Sequence, residues 1–115
     1  MAISEAFSGT ATISTTETSL VTNTAGPDAE TTDGVFQAFV DLANLAAGDQ
    51  YRLRLYEKAR SGDTQRLIEE WIFDGAQSKP LYVSPSFIFL HGWDVTVIKL
   101  AGTDRVINWS IRKVA

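Results

Sequence analysis

Polar–apolar alternation, cut by turn residues every ~10–14 positions, runs through most of this chain and leaves little room for anything but a small β fold. The clearest stretch is Gln50 to Lys58. There Tyr51, Leu53 and Leu55 point one way and Arg52, Arg54 and Lys58 the other. Val35 to Leu42 sets Phe36, Ala38, Val40 and Leu42 on one face, and Arg105 to Val114 does the same with Ile107, Trp109 and Ile111. A period of two belongs to a strand with one buried face. Gly48-Asp49, Ser61-Gly62-Asp63, Asp74-Gly75 and Ala101-Gly102-Thr103-Asp104 separate the runs, and each carries the residues of a tight turn.

The remaining segments fit the same plan. Thr10 to Ser14 and Thr18 to Thr22 are Thr-rich short strands. Residues 23–34, with Gly26-Pro27-Asp28 and Asp33-Gly34, form a loop. Thr64 to Phe73 returns as a hairpin partner of the Tyr51 strand, although Leu67, Ile68, Trp71 and Ile72 also fit a helical period. Leu81-Tyr82-Val83, Phe87 to Leu90 and Trp93 to Leu100 complete the set. Leu42 to Ala47 is equally compatible with one helical turn capped by Asp41. The expected fold is all-β: a single β-sandwich, jelly-roll-like, of about eight short antiparallel strands. Residues 1–115 make one domain, and residues 1–9 are expected as a flexible N-terminal arm. With 44% hydrophobic residues the core needs no staple, and with no Cys none is available.

Charge is split along the chain. Residues 1–50 hold seven acids and no base; residues 51–115 hold all ten bases and seven acids. Acidic and basic segments are therefore available to pair within one molecule or between copies. The net charge of −4 argues against general nucleic-acid binding, which needs clustered Lys and Arg. No apolar run reaches the roughly 18 residues of a membrane span, and Met1 to Glu5 lacks the basic start and apolar run of a secretory signal.

The chemistry-bearing residues are sparse. His91 is the only histidine, so zinc is not expected, and no nucleophile elbow accompanies it. A hydrolase would have to use His91. Asp28, Glu30 and Asp33 form an acidic loop without the spacing of a calcium loop. No metal or cofactor is expected. Trp93 and Trp109 alternate with apolar residues and read as core, whereas Trp71, with Phe73, is a candidate exposed interface patch. An exposed Trp71 or Trp93 would also suit a sugar platform. Arg52, Arg54, Lys58 and Arg66 form the densest basic group and a candidate docking patch for an acidic partner.

Several stretches carry a family likeness. They are Leu90-His91-Gly92-Trp93-Asp94-Val95-Thr96, Lys99-Leu100-Ala101-Gly102-Thr103-Asp104-Arg105 and Trp109-Ser110-Ile111-Arg112. Val40-Asp41-Leu42, Ala46-Ala47-Gly48-Asp49 and Tyr56-Glu57-Lys58 belong with them. Over roughly residues 34–115 the chain resembles a family of small virion proteins of tailed bacteriophages. The resemblance implies a structural part, most simply a capsid decoration or cement protein, with a tail or head–tail accessory protein as the alternative. It implies the major capsid protein or other virion proteins as partners, a homo-oligomer, and a place in the virion after assembly in the host cytoplasm. It carries over no catalytic residue. The contact regions expected for such a role are the arm, the acidic loop with Asp28, Glu30 and Asp33, and the basic group with Arg52, Arg54, Lys58, Arg66 and the nearby Trp71.

Overall fold

The computed structural model describes residues 2–114 and contains nine strands: β1 (Ile3–Ile13), β2 (Thr18–Ser19), β3 (Gly34–Asp41), β4 (Gln50–Glu57), β5 (Arg66–Asp74), β6 (Leu81–Val83), β7 (Phe87–Phe89), β8 (Asp94–Ala101) and β9 (Arg105–Val114). They form two antiparallel sheets. The larger runs β1-β9-β3-β6, with β7 also on β3; the smaller runs β2-β8-β4-β5. β6 and β7 share one position along β3, so each sheet is four strands wide. All connections cross between the sheets except the β4–β5 hairpin and the β6–β7 link. That alternation is the double Greek key of a jelly roll, as the sequence led us to expect. No helix is long and apolar enough to cross a membrane among the described residues.

The alternating faces meet in the middle. Phe36, Ala38 and Val40 of β3 and Ile107, Trp109 and Ile111 of β9 lie against Leu53 and Leu55 of β4 and Val95 and Val97 of β8. Trp93 is fully buried at the centre of an aromatic cluster. Its ring centroid lies 4.6 Å from Phe36, 4.6 Å from Phe89 and 5.8 Å from Phe7. Both core indoles find a carbonyl: Trp93 Nε1 donates to Thr32 at 2.8 Å and Trp109 Nε1 to Leu20 at 2.7 Å. Buried indoles need such partners.

Three expectations change here. Of the expected arm, residues 1–9, Met1 lies outside the described residues and residues 3–9 are strand instead. They belong to β1, which pairs with β9 from Ile3↔Val114 to Ile13↔Arg105, with a bulge between Glu5 and Phe7. The core-facing side of β1 is Phe7, Gly9, Ala11 and Ile13, and Gly9 is required there: a Cβ would sit 2.6 Å from the Trp109 ring. Leu42 to Ala47 is a pair of turns, with Asp41 Oδ1 accepting from Ala43 N–H at 3.0 Å. Trp71 is not an exposed patch. It is half-buried, because β5 turns it inward toward Tyr82 (5.6 Å) and Phe87 (6.4 Å) of the facing sheet.

Candidate docking surface

Buried acids fix the loops at both ends of the sandwich. Asp49 is only 3% exposed. Its carboxylate accepts from Thr103 N–H (2.9 Å), Ala46 N–H (2.9 Å) and Arg105 Nε (2.8 Å). Those donors, in that order, hold its pKa down at about 2. It locks the 42–49 turns to the 101–104 turn, where Gly102 has φ +91° and a Cβ would collide with Asp49. At the other end, Asp94 is fully buried and accepts from Ser19 Oγ (2.8 Å), Asp28 N–H (2.7 Å) and Val95 N–H (2.8 Å). Burial outweighs these donors and pushes its pKa up to about 6. Asp94 thereby holds the acidic loop against β8, aided by the backbone pair between Glu30 and Trp93.

Glu57 makes a third anchor. Its carboxylate accepts from the backbone N–H of Lys58 (2.7 Å), Leu90 (2.7 Å), His91 (3.3 Å) and Gly92 (3.0 Å). Successive backbone amides make a natural cradle for an anion. Here the anion is the protein's own side chain.

The sequence-derived site residues divide into two groups. Arg52 and Arg54 share Glu70, at 3.4 and 2.7 Å from their Nε atoms, on the outer face of the smaller sheet. Lys58 and Arg66 lie farther along the hairpin, where Lys58 packs its stem over Gly92 and Arg66 is exposed. They sit at the same end of the sandwich as the acidic loop, which Gln65 ties in by donating to the carbonyls of Asp28 (2.5 Å) and Gly92 (3.0 Å). Within that loop Asp28 accepts from Thr22 Oγ1 (2.7 Å), Glu30 accepts from Thr32, and Asp33 is exposed. The four bases thus form two neighbourhoods, and no ion pair joins them to the loop acids among the described residues.

The most distinctive surface was not in that set. Directly opposed residues on antiparallel strands project to the same face. On the outer face of the larger sheet, Ile3 opposes Val114, Val114 opposes Val35, and Val35 opposes Ile88. One apolar residue from each of β1, β9, β3 and β7 therefore forms a continuous row. Ile88 is 81% exposed and Ile3 69%. Beside the row, Arg112 stacks its guanidinium 3.8 Å above the Phe39 ring. A depression of about 170 Å³ opens between Ile3, Val35, Phe39, Arg112 and Val114. Glu5 accepts from Ser110 Oγ at 2.6 Å; that bond, a second from Ser8 and the Arg112 charge lower its pKa. Asp33, two residues before Val35, extends the acidic loop to the margin of the row.

The local signal for this surface lay in β3. Val35 and Phe39 occupy the outward parity yet are apolar, so β3 carries apolar residues on both faces, although Gln37 and Asp41 share the outer one. That pattern ordinarily marks a strand covered on both sides. No family model, curated protein or solved structure matches the chain.

Proposed function

We propose that this chain is a structural virion protein of a tailed bacteriophage, a decoration or cement protein that docks on the major capsid protein. The reading joins the resemblance over residues 34–115 to one structural observation: the apolar row Ile3–Val114–Val35–Ile88, bordered by the acidic loop. A jelly roll serves capsid and lectin domains alike, so the surface has to decide between them. A sugar platform needs an exposed indole. Trp93 is 0% exposed, Trp109 is 5% exposed, and Trp71 is packed between the sheets. The surface that remains is an apolar row beside a shallow depression, rimmed by charge, which suits a protein partner. Cementing then follows from multiplicity. A modest contact, repeated over a symmetric shell, stabilises it far more than one contact stabilises a pair.

The test is mass spectrometry of purified particles from the genome that encodes the chain, with wild type and Ile88→Asp supplied separately. The reading expects wild type at a fixed ratio to the capsid subunit. It expects Ile88→Asp to fold normally, since the side chain is in solvent, and to be lost from particles. Absence of the wild-type chain from particles would overturn it, as would full incorporation of Ile88→Asp.

A further inference from the structure

The smaller sheet ends in a free edge. β5 pairs with β4 on one side, and among the described residues no strand lies on the other. Natural edges are ordinarily short, covered or charged. This one is nine residues long, and between the charged Arg66, Glu69, Glu70 and Asp74 it carries Leu67, Ile68 and Ile72 at 44%, 42% and 51% exposure.

The order of residues along this edge mirrors itself about Glu70. Arg66 balances Asp74, Leu67 balances Phe73, and Ile68 balances Ile72. We infer that two copies of this chain pair antiparallel through β5, about a two-fold axis at Glu70, to make one continuous eight-stranded sheet. A two-fold contact requires such a self-complementary patch. In this register Ile68 of each copy faces Ile72 of the other, once on each side of the axis. Beyond them, Arg66 of one copy lies beside Asp74 of the other.

Glu70 facing Glu70 is the apparent objection. Each carboxylate, however, already lies 2.7 Å from Arg54 Nε and 3.4 Å from Arg52 Nε in its own chain. The axis therefore gathers two carboxylates among four guanidinium groups. The bulge opposite Leu55 and Tyr56 sets the limit of the ladder. Ile68 is its extra residue, because Leu55 opposes Glu69 and Tyr56 opposes Leu67. The regular pairing consequently spans Glu69 to Trp71, with Ile68 against Ile72 at its two margins. The contact is on the opposite sheet from the apolar row and does not depend on the capsid reading.

The first measurement is the mass of the full chain by light scattering at about 10 and 100 μM, a range suited to a small interface. The expected result at the higher concentration is a dimer, twice the chain's 12.6 kDa. Ile72→Lys should restore the monomer with an unchanged circular-dichroism spectrum, because the side chain is exposed. Since the chain has no cysteine, Glu70→Cys places a single thiol on the proposed axis. On oxidation it should form a covalent dimer at least tenfold faster than Ser61→Cys, which sits in an exposed turn away from the edge. A monomer at 100 μM, a trimer or ring, or equal rates for the two thiols would overturn the pairing.

Discussion

Asp94 gives the chain an unusual dependence on pH. Its side chain is fully buried, and burial lifts its pKa from 3.8 to about 6 despite three donors. A folded-state pKa above the unfolded one means that the folded chain binds the proton more tightly. Stability therefore grows as pH falls through 6 and reaches its full extent below 3.8. At about 1.36 kcal/mol per pH unit, the interval amounts to about 3 kcal/mol. About 1.3 kcal/mol of that appears between pH 7 and pH 5. The opposing acids act lower down. Asp49 loses its stabilising charge only as pH drops from 3.8 toward about 2, and Glu5 only below 4.5. Urea unfolding at pH 5, 6 and 7 should thus show a midpoint about 1 M higher at pH 5, for a slope near 1.3 kcal/mol/M. Asp94→Asn removes the titrating group while keeping the shape. Its midpoint should lose that rise between pH 7 and 5. Equal pH slopes for wild type and Asp94→Asn would refute the reasoning.

Three further substitutions test the packing. Gly9→Ala drives a Cβ to 2.6 Å from the Trp109 ring and should cost about 1–3 kcal/mol, read by thermal unfolding. Trp93→Ala empties the centre of the aromatic cluster and should cost about 3–5 kcal/mol in the same assay, or prevent folding. Glu57→Ala leaves the N–H groups of Lys58, Leu90 and Gly92 without their acceptor. It should cost about 1–3 kcal/mol and speed hydrogen exchange at residues 90–92 before it does so in β9.

Strands with strong alternation were legible because their burial follows from local order. β3, β4 and β9 bury the very faces that their sequences present, and both Trp93 and Trp109 are core. The first part of β1, residues 3–9, was hidden for a physical reason. The strand's inward face is mostly small, with Gly9 and Ala11, because Trp109 fills the space opposite. The bulge at Ala6 then breaks the period just where Phe7 would have revealed it. The apolar row was hidden for another reason. It takes one residue from each of four strands, and Ile3 and Val114 come from opposite ends of the chain. Only the register joins them, and register is a long-range property. Asp49 and Asp94 likewise looked like ordinary turn and strand acids, since most of the donors that hold them come from distant segments.

The split in charge survives folding, and under the proposed decoration role that bears on how the apolar row would dock. Of the ion pairs among the described residues, Asp49–Arg105 alone joins the first fifty residues to the rest. Other acids of the first part are satisfied by neutral donors. Glu17 accepts from Tyr56 OH and Thr96 Oγ1, each at 2.5 Å, and Asp28 accepts from Thr22. A hydroxyl satisfies a carboxylate without cancelling its charge, so the loop that ends at Asp33 remains acidic beside the apolar row. A partner that covers the row should accordingly present bases at its margin. Exposed charges of this kind are screened over about 8 Å at physiological ionic strength. Particle binding should then weaken several-fold from 50 to 500 mM salt, and Asp33→Asn should reduce that dependence without abolishing binding. If the affinity of wild type is the same across that range, the acidic loop takes no part in docking and the apolar row acts alone.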